Sequence, residues 1–389
     1  EKPFMDIVES VVPAGQADVY DLSQPATKSF IANGFVAHNC GEQPLLPYES
    51  CNLGNINLGR FIKEEGRRKK EEGSDAIDWK RLEEVVRLGV HFQDNVIDLC
   101  EYPIQQLQKM AKTTRKIGLG VMGWADMLIK LGIRYDSDEA LKLAEKTAKF
   151  IQNIARDESV ELGKKRGSFP AFGDSVWKKK GFKTMRNSTV NTVAPTGTIS
   201  IIAGCSSGIE PLFALAYRRE NILDLGKTSL VEVNIDFEKF VKDGPLPLQR
   251  TVLNRVVQTG SCQSVKGIPQ EVKDIFRISM EIPYQWHIKM QAAWQKYTDA
   301  AVSKTINLPN SATVEDIKKA YLLAYETGCK GITVYRDGCR GEQVLNVGKS
   351  RRITNDKSSP MINEKCPECG DELEFTDGCS LCRSCGFSK

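Results

Sequence analysis

The 389-residue sequence predicts an α/β protein that is preceded by a small all-β segment and followed by a cysteine-rich tail. Short strand-like stretches separated by turn residues fill residues 1–39, whereas helical apolar spacing begins near Asp136. A second predicted helix, from Thr313 to Gly328, is joined directly to the β-branched stretch 331–335. A helix followed closely by a strand is typical of α/β winding.

The composition is that of an ordinary soluble protein and excludes several classes. Lys and Arg number 54 against 50 Asp and Glu, and a net charge of +4 is too small for a dedicated nucleic-acid-binding or membrane-surface protein. The sequence has no run of eighteen apolar residues, and residues 1–13 do not resemble a signal peptide. We therefore expect a cytoplasmic protein that binds neither nucleic acid nor membranes. Because the sequence does not begin with Met, we expect a fragment or a processed piece.

The first predicted element is a β-hairpin, in which residues 29–32 and 35–39 flank the turn dipeptide Asn33-Gly34. The charged run 63–73 predicts an exposed loop or helix end. Asp136 is the predicted N-cap of a long amphipathic helix, since Glu139 follows three residues later. The apolar positions of that helix predict a buried stripe, formed by Leu141, Ala144, Ala148, Ile151 and Ala155.

The glycines of the stretch 118–123 formally match the dinucleotide-binding fingerprint, with Gly118, Gly120 and Gly123 at the required spacing. However, residues 112–116 before them are not a hydrophobic strand, and no clean ribose-binding acid lies at the expected distance. We instead predict a glycine-rich strand and turn that lead into a helix at Trp124–Leu131.

Residues 194–200 form a short stretch rich in hydroxyl groups and punctuated by glycine. Such a stretch is typical either of a diphosphate-binding turn or of an ordinary Ser/Thr turn.

Residues 341–365 are polar and lack a period, which predicts a linker to the tail.

The tail at 366–389 holds two cysteine pairs at zinc-knuckle spacing, each followed by glycine: Cys366 and Cys369, then Cys382 and Cys385. This spacing predicts a zinc ribbon. Cys379 also stands three residues before Cys382, so five cysteines compete for four positions. A redox-active tail that uses a labile pair is the alternative.

Residues 19–39 and the following Cys40 resemble the C-terminal end of an intein. On this resemblance the Asn39 side chain attacks its own carbonyl and cuts the 39–40 bond, while His38 assists. Cys40 supplies the thiol that accepts the N-terminal segment, and Asp21 tunes that thiol or the junction. The alternative is a β-hairpin that happens to end in His-Asn-Cys. Because the first half of an intein is absent, we expect a split-intein partner or a truncated gene product.

Five further stretches, in the same order, resemble the ribonucleotide reductases, most closely the adenosylcobalamin-dependent class: 40–58, 116–128, 191–217, 286–307 and 328–340. The resemblance spans about residues 40–340 and includes the tail. It implies the C-terminal half of a ten-stranded α/β barrel with a radical cysteine on a central loop. The missing N-terminal half would be needed for stability and for activity, because half a barrel leaves unpaired strand edges.

The resemblance also implies catalytic roles. Cys40 would be the thiyl-radical residue, Glu42 the carboxylate that removes a proton from a ribose hydroxyl, and Cys51 one member of a reducing pair whose partner lies upstream. A buried structural role is the alternative for Cys51. Asn39 belongs to the intein and is given no reductase role. The substrate phosphates would be held by four residues of the turn: Thr196, Gly197, Thr198 and Ser200.

The implied cofactor is adenosylcobalamin, because Tyr335 stands alone where reductases with a separate radical-generating subunit carry neighbouring tyrosines. No cobalamin contact is assigned, and His91 and His287 are interpreted as structural rather than as cobalt ligands. The implied partners are a ribonucleotide, a thioredoxin-like reductant, the N-terminal half and, after assembly, a second copy.

The predicted domains are therefore an intein segment at 1–39, a reductase barrel half at 40–340, a linker at 341–365 and the tail at 366–389. Two other functions stay open. One is a splicing fragment whose reductase half is inert cargo. The other is a zinc-ribbon module that binds nucleic acid, which the small net charge disfavours.

Overall fold

The computed structural model describes residues 29–32, 35–38, 41–63, 76–219, 230–243, 249–337, 369, 374–376 and 379–381. The chain divides into two compact units, one of residues 1–39 with 351–389 and one of residues 40–350, and each is described by itself. Among the described residues, no helix combines the length and apolar character that crossing a bilayer requires.

In the larger unit, one or more helices of the described residues separate successive strands, except between β5 and β6. The helices are α1 (Trp79–Leu99), α2 (Gln105–Thr114), α3 (Trp124–Leu131), α4 (Asp138–Arg166), α5 (Val176–Lys179), α6 (Gly197–Ile202), α7 (Ile235–Asp243), α8 (Gln249–Thr259), α9 (Gln270–Ile275), α10 (Tyr284–Gln295) and α11 (Val314–Glu326). The strands are β1 (Ser29–Ala32), β2 (Phe35–His38), β3 (Asn52–Asn57), β4 (Ile117–Met122), β5 (Ala216–Arg219), β6 (Leu230–Val233), β7 (Thr305–Leu308), β8 (Thr333–Arg336), β9 (Glu374–Thr376) and β10 (Cys379–Leu381).

Parallel pairing links β3 with β4 and β7 with β8 in the larger unit, whereas β5 and β6 pair antiparallel. β3 pairs with β4, and Leu119 of β4 forms a parallel bridge with Asn191. Val193 forms the next parallel bridge, with Val302, and β7 begins three residues later and pairs in parallel with β8. Parallel strands with helices between them confirm the predicted α/β class. The ten-stranded closure stays a prediction.

The glycine-rich stretch forms the strand and helix that the sequence predicts. Every residue of β4 is buried, and α3 begins directly after Gly123, whose φ of 73° lies in the left-handed region that favours glycine. Asn57 crowds the same place, because a Cβ on Gly123 would lie 2.4 Å from the Asn57 Oδ1. The glycines therefore serve close packing between β3 and β4.

The main apolar core lies where α4 packs against α1 and α10. The predicted stripe of α4 is buried in it, apart from the partly buried Leu141. The predicted N-cap is wrong by one residue: Ser137 caps α4 by accepting a hydrogen bond from the Ala140 amide at 3.2 Å. The buried carboxylate of Asp136 instead accepts hydrogen bonds from Arg134 and Arg277, because ion pairing in the tertiary structure competes with capping.

The helix–strand pair predicted near the end of the barrel region is confirmed. Thr313 caps α11 by accepting from the Asp316 amide at 3.2 Å, while the Asp316 carboxylate accepts from the Thr313 amide at 2.9 Å. The helix ends just before Gly328, whose φ is 76°, and β8 follows within five residues.

A buried ionic cluster ties α1 to segments distant in sequence. The Asp94 side chain is fully buried and accepts hydrogen bonds from Arg115 at 2.8 Å, Arg186 at 3.1 Å and Arg166 at 3.2 Å. Arg115 also pairs at 2.7 Å with Asp98, whose side chain is 48% exposed. One carboxylate thus organises three guanidinium groups.

The smaller unit contains two described hairpins. β1 pairs antiparallel with β2, with Ser29 opposite His38, so the predicted N-terminal hairpin is confirmed within these residues. β9 pairs antiparallel with β10, with Cys379 opposite Thr376. The predicted strand at 18–22 and most of the charged run 63–73 lie outside the described residues.

Candidate active site

The segment 41–51 is the loop that the sequence predicts to carry the chemistry, and a buried ion pair fastens it to β4. The Glu49 carboxylate is 1% exposed, and it accepts from Lys116 Nζ at 2.8 Å and from the Leu46 amide at 2.9 Å. Lys116 also donates to the Pro44 carbonyl at 3.1 Å. Because Lys116 immediately precedes β4, the loop is held against the first residues of that strand.

Glu42 is buried between two strand segments. Its carbonyl oxygen accepts from the Ala301 amide and from the Thr192 hydroxyl, both at 2.9 Å. Its side chain points into the protein, where Oε2 has no hydrogen-bond partner among the described residues. A buried carboxylate oxygen with free lone pairs is available to accept a proton from a bound molecule.

Cys51 immediately precedes β3, and its thiol lies within range of the Glu42 charge. Burial raises the pKa of its thiol to about 12; Lys116 opposes this shift, and the charges of Glu49 and Glu42 add to it. The thiol donates a weak hydrogen bond to the Asn52 carbonyl at 3.4 Å. The cysteine is therefore held as S–H, the form that can give up a hydrogen atom, rather than as thiolate.

This pKa predicts slow alkylation of Cys51. At pH 7.5 we expect iodoacetamide to label Cys51 at least about a hundredfold more slowly than the exposed Cys100, because the thiolate is the nucleophile. The Cys51 rate should keep rising with pH while the protein stays folded. Peptide mass spectrometry of timed aliquots measures both rates, and labelling in urea supplies the control in which the difference disappears. Equal native rates would contradict the burial of this thiol.

Two of the four residues predicted to bind phosphate, Thr196 and Ser200, instead form hydrogen bonds that stabilise the turn itself. Thr196 adopts φ 54°, and its Oγ1 accepts from the Gly208 amide at 2.7 Å. The Ser200 hydroxyl is buried and lies 2.8 Å from the Ser207 hydroxyl. Gly197 and Thr198 are exposed, at the start of the short helix α6. The first amides of a helix have no acceptor within the helix, so these two residues are the ones that can face an anion.

A second buried network, which the sequence analysis did not identify, joins the segment after this turn to β7. Lys304 is buried, pairs with the Glu210 carboxylate, and lies 2.9 Å from His287 Nδ1. His287 Nε2 contacts the Ser279 carbonyl at 3.0 Å. Burial, and then the Lys304 charge, lower the pKa of His287 well below its ordinary range. Glu210 lies more than 70 positions before both His287 and Lys304 in the sequence, so no local pattern connects the three residues.

Both histidines interpreted as structural are engaged by protein groups. His91 Nε2 lies 2.9 Å from an Arg166 nitrogen, and both ring nitrogens of His287 have partners. Among the described residues, no group of three or more His, Cys, Asp or Glu side chains could hold a metal ion.

Several predicted residues lie outside the described part of the chain: Asp21, Asn39, Cys40, Cys366, Cys382 and Cys385. His38 is described as the last position of β2 and Cys379 as the first position of β10. Cys369 is exposed. The structure therefore describes Glu42 and Cys51 on one loop and leaves the catalytic, splicing and zinc assignments as predictions.

The parallel strand pairs, with the loop that carries Glu42 and Cys51 held against β4, define an α/β domain with a candidate active site. Residues 36–335 match the ribonucleotide reductase barrel domain, and the chain belongs to that family.

Two relatives extend the comparison. The chain is 50% identical over 309 residues to a vitamin B12-dependent ribonucleoside-diphosphate reductase of Thermoplasma acidophilum, covering 79% of this chain and 38% of the relative. It is 44% identical over 348 residues to the enzyme of the same name from Mycobacterium tuberculosis, covering 90% of this chain and 45% of the relative. The chain thus spans less than half the length of both.

Among solved structures, the chain resembles the alpha subunit of the class Id ribonucleotide reductase of Actinobacillus ureae. The TM-score is 0.58 at 25% sequence identity, and the match covers 77% of this chain and 52% of that subunit. The similarity to a reductase subunit agrees with the family assignment.

Proposed function

We propose that this chain supplies the active-site loop and the C-terminal barrel half of an adenosylcobalamin-dependent ribonucleoside-diphosphate reductase. The observation that carries the proposal is the buried Glu42 carboxylate with an unpartnered oxygen, on the same loop as the protonated Cys51, in a chain of the reductase barrel family. The names of the relatives favour diphosphate substrates and a B12 cofactor. The enzyme is complete only with the half that the relatives carry outside the matched region; we call the two together the assembled reductase.

In this proposal a ribose hydroxyl is replaced by hydrogen and leaves as water. Cys40, as a thiyl radical, takes a hydrogen atom from the ribose and gives it back after the hydroxyl has left, which restores the thiyl radical. Glu42 accepts a proton from the neighbouring hydroxyl at its free Oε2. The two electrons come from Cys51 and a second cysteine in the other half, which end as a disulfide. A thioredoxin-like dithiol then restores both thiols.

Adenosylcobalamin, when bound, supplies the initial radical that Cys40 takes over. His91 and His287 contact other protein groups, which supports their interpretation as structural residues. No residue of this chain is assigned to hold the cofactor.

The diphosphate of the substrate would bind at the exposed residues Gly197 and Thr198 through their backbone amides, while Thr196 and Ser200 stabilise the turn.

The test is a reduction assay on the assembled reductase. We expect conversion of a ribonucleoside diphosphate to its 2′-deoxy product, with strict dependence on adenosylcobalamin and a dithiol. Chromatography of the nucleotides measures the product. A correctly folded assembly that makes no product with cofactor, reductant and each of the four substrates would contradict the proposal.

We further propose that residues 1–39 join the two halves by splicing at the 39–40 bond. Support comes from the β1–β2 hairpin, which ends at His38 and so brings the predicted junction directly after a paired strand. Asn39→Ala should abolish cleavage of this bond, because the attacking amide is lost. Intact-mass spectrometry after mixing with the N-terminal partner detects the ligated product. A product that still begins at Cys40 in the variant would rule out the splicing role.

The tail is proposed to bind zinc through Cys366, Cys369, Cys382 and Cys385. Support comes from the hairpin register: Cys379 is paired with Thr376 at the turn end, whereas Leu381 is paired with Glu374 at the open end. The two cysteine pairs lie beyond that open end in sequence, one before β9 and one after β10. The position of Cys379 at the turn end of the hairpin supports a ligand set without it.

Zinc content tests this ligand set. We expect one zinc per chain, retained in Cys379→Ser and lost in Cys366→Ser, because a structural site needs all four thiolates. Native mass spectrometry counts the metal. Loss of zinc in Cys379→Ser with retention in Cys366→Ser would assign the ligands differently, and no zinc in any form would favour the redox tail.

A further inference from the structure

Gln43, which follows Glu42, and Asn55 of β3 are half-buried residues whose side-chain amides include buried atoms without partners. Both polar atoms of the Gln43 amide and the Oδ1 of Asn55 are buried and have no hydrogen-bond partner among the described residues. Together with Glu42 Oε2, four polar atoms are left unsatisfied in one region. Buried polar side-chain atoms of native proteins are mostly paired, so a group of orphans of this kind requires an explanation.

The two amides meet the same face of β4. A Cβ on Gly118 would lie 3.0 Å from Gln43 Nε2, and a Cβ on Gly120 would lie 2.5 Å from Asn55 Oδ1. Residues two apart on a strand point to the same side, so both glycines open one face of β4 to these amides. Thr192 closes that space, since its methyl group faces Gly118 and its carbonyl faces Gly120.

The chemistry of these groups selects the ligand. A primary amide is neutral and offers both donors and an acceptor, which suits hydroxyl groups and not the charge of a phosphate. The Thr192 hydroxyl binds the Glu42 carbonyl, so the amides and the proposed proton acceptor share one site. From Thr192 the chain reaches the Thr196 turn in four residues, at most about 14 Å. One nucleotide can therefore place its sugar at the amides and its phosphates toward the turn.

We propose that Gln43 and Asn55 bind the ribose hydroxyls of the ribonucleotide and so help the enzyme to recognise the sugar. This inference rests on the proposed function. A buried amide that bonds only to a ligand lowers the stability of the ligand-free protein, because its desolvation is then not offset by a hydrogen bond. Replacing it by an apolar side chain of similar size then has two opposite effects: the folded chain gains stability, and the sugar loses a hydrogen bond.

The experiment compares Gln43→Leu and Asn55→Leu with Gln152→Leu, a control at a buried glutamine whose amide donates to Asp299 at 3.2 Å. Two quantities are measured: the Tm of each chain, and the Kd of the assembled reductase for a ribonucleoside diphosphate and for its 2′,3′-dideoxy counterpart. We expect the two site variants to keep or raise the Tm and to lose about tenfold of the preference for the ribonucleotide. The control should lower the Tm and keep the preference.

The outcomes separate the two proposals. Unchanged sugar preference in both site variants, or a Tm loss like that of the control, would show that the amides are structural and overturn the inference. If the wild-type assembly makes no deoxynucleotide but shows a ribose preference that Gln43→Leu removes, the reductase proposal fails and the sugar site stands. A wild-type assembly with no ribose preference contradicts the sugar site directly.

Discussion

Glu42→Gln should lower kcat of the assembled reductase by about 10²–10⁴-fold and leave the fold intact. General-base catalysis contributes a factor of this size, and glutamine cannot accept the proton that the carboxylate takes. The fold should survive because no described group binds the free Oε2, while the Glu42 backbone keeps its bonds to Ala301 and Thr192. Steady-state kinetics at saturating substrate measures kcat, and thermal unfolding verifies the fold.

Glu49→Gln is the matched control, seven residues further along the same loop. Its carboxylate is equally buried but is saturated by Lys116 and the Leu46 amide, so glutamine should lower the Tm because Lys116 loses its ionic partner. The kcat of the folded enzyme should fall by less than about tenfold, since Glu49 holds the loop and does not face the sugar. If Glu42→Gln kept kcat within about threefold of wild type, the proton-acceptor role would be refuted.

Local patterns predicted those parts of the fold that short-range physics determines. The predicted start of α11 at Thr313 is correct, and the structure shows a local reason: Thr313 and Asp316 bond each other's backbone in a capping box. The strand and helix within 117–131 were also predicted correctly, from the glycine-rich stretch and the apolar residues around it. The start of α4 was misplaced by one residue because Asp136 and Ser137 are both good caps, and distant Arg277 decides between them.

The sequence could not predict how distant polar residues converge. The resemblance identified Glu42 and Cys51, but no spacing rule connects Glu42 with Asn55, or Lys304 with Glu210 and His287. Gly118 and Gly120 are the one sequence signal of this convergence, because glycine in a strand indicates that other atoms pack closely against the backbone. The sequence does not indicate which residues supply those atoms. The Thr196 turn shows the same limit: its residue types suggest phosphate binding, yet two of its hydroxyls serve the turn.

The largest expected effect on stability comes from Asp94, whose side chain is fully buried among three arginines. Asp94→Asn should lower the free energy of unfolding by about 3–5 kcal/mol, because removing one partner of a buried ion pair leaves uncompensated charge in the interior. Here the remaining groups are cations that repel one another, and Asn187 loses the carboxylate to which it donates at 3.1 Å. Urea denaturation of the chain at neutral pH, followed by tryptophan fluorescence, measures the change.

Asp98→Asn provides the comparison, because Asp98 bonds the same Arg115 from a position that is 48% exposed. Water screens an exposed pair, so this variant should cost no more than about 1 kcal/mol. The hydrogen bond from Arg115 lowers the pKa of Asp98 below its ordinary value of 3.8. The stability that Asp98 provides is therefore present above pH 3.8 and is lost as the pH falls through the lowered pKa. Equal, small losses in both variants would mean that water reaches the arginines around Asp94 and that the cluster does not organise the core.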